Sequence, residues 1–245
     1  IASLEAQGSL PATGVAYDPY SRLEVTGPLL GLILDGEPVT QAKADDVVEA
    51  ILPRTCFYVE AGGQVSDTGS IRAQDGTWEI QVEDMRKPAA GMVVHVGTVL
   101  RGEPRVGDLA IAAVDAPRRR DIMRNHTATH LLHAELHRVL GEHARQAGSL
   151  VAPDRLRFDF THPEAVTAEQ LADIEAGINR HVLGNFALDI KVKPLQQALK
   201  EGAMALFGEK YGETVRTITI GDQAPFSYEL CGGTHVDETA VIGLF

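Results

Sequence analysis

The fold is decided by a short stretch near the middle of the chain, which reads NHTATH over residues 125–130. Two of its residues, His126 and His130, are four positions apart, and on a helix this spacing places both imidazoles on one face. Much later in the chain, residues 231–235 read CGGTH. Cys231 and His235 are also four positions apart, but the two glycines between them indicate a turn. The sequence therefore predicts one pair of polar side chains on a helix and a second pair on a loop.

These four side chains comprise three imidazoles and one thiol, a set that suits Zn²⁺. Either pair alone is a weak signal, because helices often carry two histidines by chance. Both pairs together are a much stronger signal in a chain that has only two cysteines. The alternative is a collection of unrelated surface and core histidines. We therefore predict that His126, His130, Cys231 and His235 bind one zinc ion as a cofactor.

The composition is that of an ordinary globular chain. Its 245 residues fit two domains or one large one, and 44% of them are hydrophobic, so a sizeable core is available. No apolar run approaches the roughly 20 residues of a membrane span, and no signal peptide is visible. Two cysteines argue against a disulfide framework, so we expect a cytoplasmic protein and no membrane partner. Because the chain starts at Ile1 and stops after an apolar run, both ends are expected to lie inside a longer protein.

The net charge of −12 disfavours non-specific binding of nucleic acid by the whole surface, but it leaves room for a local basic groove. Arginines cluster just before the His126–His130 pair, at positions 118–120 and 124, and two more follow at 155 and 157. The run at 118–120 on its own is interpreted as a solvated helix face.

The region before the helix is predicted to be rich in short strands. Residues 1–24 contain several glycines and prolines and are interpreted as a connector. From residue 25 to residue 114, turn pairs such as Asp75-Gly76 separate short apolar segments. Many short strands at this spacing favour a small barrel or a sandwich. The predicted strands cover residues 29–34, 47–52, 70–73, 77–82, 92–100 and 109–114.

The pattern changes at Asp115, a capping carboxylate followed by a proline in the first turn. A long helix is predicted from there to Leu140, with Gly141 ending it. His133 and His137 lie further along this helix and are expected to pack or to face solvent. The remaining residues predict a second half of the chain with α+β structure. Its predicted elements are a loop at 146–149, strands at 156–160, 186–192 and 215–220, a helix that begins at the capping box 167–170, and a short helix at 197–206.

The chemistry open to such a zinc site is limited by Thr127. It stands where a protease of the His-Glu-x-x-His type carries its glutamate, so no general base lies beside the metal in sequence. An activated ester needs less assistance than a peptide amide, and a metal that lowers the pKa of a bound water would suffice for it. The residues therefore favour hydrolysis of a labile ester, with a purely structural zinc as the alternative.

Several longer motifs resemble bacterial alanyl-tRNA synthetase: residues 125–133, 146–151, 154–160, 202–212 and 229–236. The resemblance runs from about Leu23 to the end and covers the β-barrel and editing domains of that family. It implies an α+β chain with a small antiparallel, translation-factor-like β-barrel over residues 25–114. A two-layer α/β editing domain with a long zinc-carrying helix would follow over residues 115–245. The family's aminoacylation and C-terminal domains have no counterpart in this sequence.

This resemblance implies hydrolysis of tRNA(Ala) that carries serine or glycine, with the acceptor end of tRNA(Ala) and the missing domains as partners. The full-length enzyme would join alanine to tRNA(Ala) with ATP. His126, His130, Cys231 and His235 match the zinc ligands. Thr129 and Gln146 match positions that shape the editing pocket and are implied to be catalytic. Ser149 is implied to bind substrate, as are Gly62, Gly63 and Gln64, which match the glycine-rich motif of the family's barrel domain.

Three alternatives stay open beside this reading. The first is a free-standing editing protein of the same superfamily, and the second is the editing domain of threonyl-tRNA synthetase, which shares the metal motif. The third is a non-enzymatic tRNA-binding module with structural zinc. The sequence also departs from the family pattern in the barrel loop, where Cys56, Val59 and Ser66 replace the usual proline, alanine and glycine.

Overall fold

The structure is a computed structural model that describes residues 14–205, 211–222 and 224–245, and its chain divides into two compact units. Unit 1 consists of the described residues up to Glu60 together with Ser66–Arg119. Unit 2 consists of Ala61–Val65 together with Arg120–Phe245. The short segment Ala61–Val65 therefore groups with residues far away in sequence. Residues 1–13 of the expected connector lie outside the described residues, and the expected domain limits at 24/25 and 114/115 stay predictions.

Unit 1 is built almost entirely from strands. Val15 in the expected connector is buried, and the short strand after it pairs in parallel with a strand near residue 54. The strands of unit 1 are β1 (Ala16–Tyr17), β2 (Glu24–Pro28), β3 (Gly31–Leu34), β4 (Glu37–Val39), β5 (Val47–Ile51), β6 (Arg54–Thr55), β7 (Gly69–Ala73), β8 (Glu79–Arg86), β9 (Val94–Arg101) and β10 (Leu109–Val114).

Eight of these strands form one antiparallel sheet in the order β2-β10-β7-β8-β9-β5-β3-β4. Buried and half-exposed residues alternate along β7, as expected of a strand with one face on a core. The core contains Leu29, Leu32, Phe57, Ile71 and Ile80, all almost fully buried. The edge strands β2 and β4 are not paired with each other in the part of the chain that the structure describes. The barrel expected from the sequence is therefore a half-barrel, open at this edge.

Some strands of unit 1 are easier to predict than others. The strand Leu109–Val114 lies where the sequence predicts it, because its apolar run is bounded by turn residues. No strand was predicted at β2. Two of its residues, Val25 and Gly27, face inward, but Gly27 has no side chain and so leaves no apolar signal. The neighbouring Pro28 also resembles a loop residue.

The long helix α1 (Ala116–Leu140) extends where the sequence predicts it. The backbone N–H of Arg118 donates to Asp115 Oδ1 at 3.1 Å, as expected of a capping carboxylate. At the other end Gly141 has a φ of +106°, and its N–H donates to the carbonyl of His137 at 3.0 Å. A residue with a side chain would be strained at that φ, which is why glycine ends the helix.

The interpretation of residues 118–120 as a solvated face is wrong for Arg119. Its side chain is buried, and its Nε donates to Asp67 Oδ1 and Oδ2 at 2.9 and 3.0 Å. Its terminal nitrogens donate to the carbonyls of Pro19 and Cys56 at 2.7 and 3.0 Å. Arg120, the next residue, is exposed as predicted. The sequence alone does not distinguish a buried arginine that donates to four acceptor atoms from an arginine on the surface.

Unit 2 packs helices against small sheets. Its core contains Leu131 and Leu136 of α1, Ile178 of the next helix, and Ile218 and Ile220 of a strand. The elements are β11 (Gln146–Val151), β12 (Leu156–Phe160), α2 (Ala168–Leu183), β13 (Leu188–Pro194), α3 (Leu195–Lys200), β14 (Thr214–Ile220), β15 (Ser227–Leu230) and a 3₁₀ turn at Thr239–Ile242. Strands β13, β14 and β15 form an antiparallel sheet in chain order, and β11 and β12 form a separate hairpin.

The fold of unit 2 departs from the sequence prediction in three places. Residues 146–149, expected as a loop, begin strand β11, which carries an irregularity between Gln146 and Gly148. The predicted helix at 197–206 ends at Lys200, and Gly202 follows with a φ of +92°. Strand β15 was not predicted at all. Residues 206–210 of the motif at 202–212 lie outside the described residues.

The described residues are α+β: the elements up to Val114 are all strands, whereas helices and strands alternate from Ala116 onward. Within residues 14–205, 211–222 and 224–245, no helix combines the length and the apolarity that crossing a bilayer requires.

Candidate metal centre

The four side chains predicted as ligands come together in unit 2. Helix α1 supplies His126 and His130 from one face, and the turn after β15 supplies Cys231 and His235. One ligand atom from each residue lies within 4.8 Å of the other three. Cys231 Sγ is 3.4 Å from His126 Nε2 and 3.3 Å from His235 Nε2. This group can hold one metal ion, and three imidazoles with one thiol fit a tetrahedral site.

The three imidazoles are buried, and their rings surround a common point. Ring centroids are 4.4 Å apart for His126 and His235, 4.9 Å for His130 and His235, and 5.5 Å for His126 and His130. All three side chains are at most 6% exposed. Three buried imidazoles grouped this closely are the arrangement that binding of one shared metal ion requires.

Each imidazole also has a polar neighbour at its other nitrogen. His126 Nδ1 is 2.7 Å from Gln64 Oε1, and His235 Nδ1 is 3.2 Å from the hydroxyl of Thr127. His130 Nδ1 lies 3.1 Å from a carboxylate oxygen of Glu229. Metal-binding histidines almost always have such a partner, because it orients the ring and fixes which nitrogen carries the proton. The Nδ1 atoms of His126 and His235 thus have hydrogen-bond partners, whereas His130 Nδ1 is close to Glu229 without a hydrogen bond to it. The Nε2 atoms of His126 and His235 are directed at Cys231.

The electrostatics favour a thiolate in this group. Burial opposes ionisation of Cys231, but His126 and His235 outweigh it and hold the pKa of the thiol well below its usual range. Burial, and then the neighbouring His126, lowers the pKa of His235 to about 3, which leaves this ring neutral. Burial opposes protonation of His130, yet Glu229 and then Cys231 raise its pKa to about 10. A thiolate and neutral imidazoles are the forms that bind metals, so metal binding would release the proton of His130.

The loop between Cys231 and His235 is held by its glycines and by one arginine. A Cβ added at Gly233 would collide with the ring of His126 and would lie 2.8 Å from Gln64 Oε1. A Cβ added at Gly232 would meet nothing within 4 Å. Arg216 Nη1 donates to the carbonyls of Cys231 and Gly233 at 3.2 and 2.6 Å. Glycine at position 233 therefore lets the loop approach α1 closely enough to complete the group.

Further along α1 lies a cavity of about 380 Å³, whose lining does not include the four proposed ligands. Buried Nε2 atoms of His133 and His137 have no hydrogen-bond partner among the described residues. His133 Nδ1 is 3.2 Å from Glu229, the same carboxylate that approaches His130. The cavity is lined by His133, His137, Glu142, Arg145, Gln146, Met204 and Ala205. Two residues with unsatisfied, inaccessible ring nitrogens thus belong to the wall of this cavity.

The other predicted site residues differ in how they are placed. Gln146 lines the cavity at the start of β11. Thr129 is buried, and its hydroxyl donates to the carbonyl of Asn125 at 2.8 Å. Gly62 and Gly63 have φ values of +58° and +83°, and a Cβ at Gly63 would lie 2.6 Å from the carbonyl oxygen of Ser149.

Three polar residues near the ligands were not predicted to take part. Thr127 was noted only for the glutamate that it replaces, yet it is fully buried against His235. Glu229 and His133 are also buried and in contact with each other, although neither is predicted to belong to the site. Glu229 lies two residues before Cys231, and His133 lies three residues after His130. This closeness in sequence to a proposed ligand is the signal that could have identified them.

Comparison with known proteins shows to which protein family this chain is similar. Residues 3–118 match the family model for class II (A) tRNA synthetases, and residues 215–245 match the model for the second additional domain of threonyl and alanyl tRNA synthetases. An alanine–tRNA ligase of Chloroflexus aurantiacus is 47% identical over 99% of this chain and 28% of its own length. Those of Desulforamulus reducens and Stenotrophomonas maltophilia are 49% and 51% identical over 92% of this chain and 25% of theirs.

The chain belongs to the alanine–tRNA ligase family. It spans about a quarter of the length of the relatives that it matches. The model for residues 215–245 covers both threonyl and alanyl enzymes, but the identities given above are all to alanine–tRNA ligases. The matched segment at 215–245 includes Cys231 and His235, so half of the candidate metal group lies within it.

Proposed function

We propose that this chain is the editing part of an alanine–tRNA ligase and hydrolyses the ester of tRNA(Ala) that carries serine or glycine. A Zn²⁺ ion held by His126, His130, Cys231 and His235 would be its cofactor. The observation that carries the proposal is this convergent four-ligand group in a chain of that family. Zinc is the metal proposed because three imidazoles and a thiolate suit it best.

The need for such a reaction follows from the substrates. A pocket built for alanine cannot strongly reject glycine, which lacks one methyl group, or serine, which adds one hydroxyl. Differences of this kind are worth only about 1–3 kcal/mol in a binding site. A second site that hydrolyses the wrong products is the physical remedy. An aminoacyl ester also agrees with the preference for a labile ester that Thr127 imposes.

The residues around the group suggest how the substrate would be held. Bound zinc would supply Lewis acidity towards the ester or a water. We propose that the acceptor end of tRNA(Ala) reaches the cavity lined by His133 and Gln146, where Gln146 would orient the ester or a water by hydrogen bonding. An amide is not a base at neutral pH, so this role is one of positioning. Thr129, Gly62, Gly63 and Ser149 are proposed to shape the site around the amino acid.

The remaining proposals concern partners and location. The relatives are longer, so the aminoacylation and C-terminal domains are proposed as further parts of the same protein, and the whole enzyme would use ATP to join alanine to tRNA(Ala). We propose a cytoplasmic location. The net charge of −12 supports weak, salt-sensitive binding of tRNA by this chain alone. The alternative for the gene as a whole is a free-standing editing protein.

A second candidate function is favoured by one observation. The structure groups four protein ligands, and a site with four protein ligands is more often structural than catalytic. On that reading the chain is a tRNA-binding module whose zinc only fastens the loop at 231–235 to α1. The two candidates differ in whether the chain hydrolyses mischarged tRNA.

The test compares two cysteine variants. Cys231→Ala removes a proposed ligand, whereas Cys56→Ala removes a buried thiol in unit 1. We expect the wild type and Cys56→Ala to release serine from Ser-tRNA(Ala) and to spare Ala-tRNA(Ala). Cys231→Ala should retain less than about 1% of that rate, because a metal ligand is lost. Equal rates for Cys231→Ala and wild type, or no release by any zinc-loaded form, would contradict the editing proposal.

A further inference from the structure

The segment Gly62-Gly63-Gln64 contains a glutamine whose surroundings were not anticipated. Its side chain is fully buried, with 0% of its surface exposed. Its amide oxygen accepts from the backbone N–H of Thr234 at 2.9 Å and lies 2.7 Å from His126 Nδ1. Its amide nitrogen donates to the hydroxyl of Thr234 at 2.9 Å. Both ends of this amide are therefore occupied by the metal group and its loop.

The two glycines explain how the glutamine reaches this place. Ala61 and Gln64 exchange backbone hydrogen bonds at 3.3 and 3.0 Å, which closes a tight turn over Gly62 and Gly63. Both glycines have positive φ, which costs a residue with a side chain about 1 kcal/mol or more. The turn is then attached to β11, since Val151 N–H donates to the carbonyl of Gly63 at 2.7 Å and Val65 N–H to that of Val151 at 3.1 Å.

The orientation of the Gln64 side-chain amide determines which ring nitrogen of His126 carries the proton. A backbone N–H is always a donor, so the atom that faces the N–H of Thr234 must be the amide oxygen. The same oxygen faces His126 Nδ1, which can therefore interact favourably only if Nδ1 carries a proton. A neutral imidazole protonated on Nδ1 has its lone pair on Nε2, the atom that lies 3.4 Å from Cys231 Sγ.

We infer that Gln64 is a positioning residue of the metal centre, which fixes His126 as the Nδ1-protonated tautomer and joins that histidine to the loop of Thr234. This inference rests on the proposed metal centre and assigns Gln64 a role in place of the substrate contact that the family resemblance implies. With both polar ends hydrogen-bonded and its surface fully buried, Gln64 has no exposed atom with which to contact the amino acid. Substitutions at Gln64 should therefore change metal binding first and substrate selectivity only as a consequence.

The experiment measures zinc affinity by competition with a chromophoric chelator, using the full chain. Gln64→Leu keeps the volume but removes both polar ends, and we expect its zinc affinity to fall about 10–100-fold. Gln64→Glu keeps an acceptor for His126 and should bind zinc close to wild type, since carboxylates serve as partners of metal-binding histidines elsewhere. The control Gln41→Leu changes an exposed glutamine of unit 1 and should bind as the wild type does.

The possible results separate this inference from the proposed function. If wild type and Gln64→Leu bind zinc equally tightly, the inference on Gln64 is overturned while editing stands. If the wild type itself binds no zinc, the metal centre and the inference fall together.

A second measurement decides the matter even if Gln64→Leu does not fold. Long-range ¹H–¹⁵N NMR of the zinc-loaded wild type should show His126 protonated on Nδ1 and metal-bound through Nε2. Metal bound through Nδ1 would overturn the assignment.

Discussion

Two adjacent glycines show how strongly a single position can determine the metal group. Gly232 and Gly233 are equivalent in sequence, since both belong to the turn between Cys231 and His235. In the structure only Gly233 lies against α1, so closely that a Cβ there would strike the ring of His126. The space around Gly232 is open, with no atom within 4 Å of such a Cβ.

We predict opposite results for the two alanine substitutions. Gly233→Ala should lower zinc affinity more than 10-fold, because either His126 or the loop at 231–235 must move away from the metal position. A tetrahedral zinc site requires all four ligands at fixed distances and angles. Gly232→Ala should bind zinc as the wild type does. Chelator competition on both purified variants, with circular dichroism as the check on folding, measures this. Equal affinities for the two variants would show that the close approach of Gly233 to His126 is unimportant.

At the same scale, the convergence of the four proposed ligands could be predicted from sequence, whereas their polar partners could not. The ligands have rare residue types at a characteristic spacing, and the structure brings them within 4.8 Å of one another. Gln64, Thr127 and Glu229 are common polar residues, and their positions carry no spacing rule. Gln64 is separated from His126 by 62 residues, so only the folded chain reveals that they touch.

At the scale of elements, the start of α1 depends on a buried ion pair within unit 1. Arg119 in its first turns and Asp67, just before β7, are both almost inaccessible, with side-chain exposures of 4% and 1%. Asp67 also accepts from the backbone N–H of Tyr58 at 2.6 Å. Removing one partner of a buried pair leaves an uncompensated charge, which is far more costly than the loss of a surface ion pair.

We therefore predict that Arg119→Met lowers the free energy of unfolding by about 3–5 kcal/mol, measured by urea denaturation. The matched control Arg120→Met, at the exposed neighbouring position, should change it by less than about 0.5 kcal/mol. Adding Asp67→Asn to Arg119→Met should recover part of the loss, because the amide keeps an acceptor for Tyr58 without a charge. If Arg119→Met proves as stable as Arg120→Met, the buried pair does not support the start of the helix.

The elements also differ in how far sequence could predict them. Helix α1 has a capping aspartate, a first-turn proline and a terminal glycine, and its limits follow from these local signals. Strand β12 was predictable because Leu156, Phe158 and Phe160 alternate with polar residues. Strand β11 was not, since its residues Gln146, Ala147, Gly148 and Ser149 carry no apolar alternation. It forms because it pairs with β12, which is a tertiary rather than a local cause.

At the scale of the whole molecule, family and fold class follow from sequence, but the placement of segment Ala61–Val65 does not. Local strand patterns surround this segment on both sides, yet it groups with unit 2, where Gln64 meets His126. The electrostatic attraction of the chain for RNA is also a property of the whole molecule. A chain of net charge −12 has no general attraction for RNA, so any binding of tRNA must come from a local arrangement of groups.

The central claim, that four side chains hold a zinc ion needed for ester hydrolysis, is tested most directly by removing the metal. Release of serine from Ser-tRNA(Ala) would be measured for the chain as purified, after chelation, and after Zn²⁺ is restored, with circular dichroism at each stage. The account predicts release that spares alanine, is abolished by chelation while the fold persists, and returns with Zn²⁺. An unchanged rate in the folded, metal-free chain would contradict it.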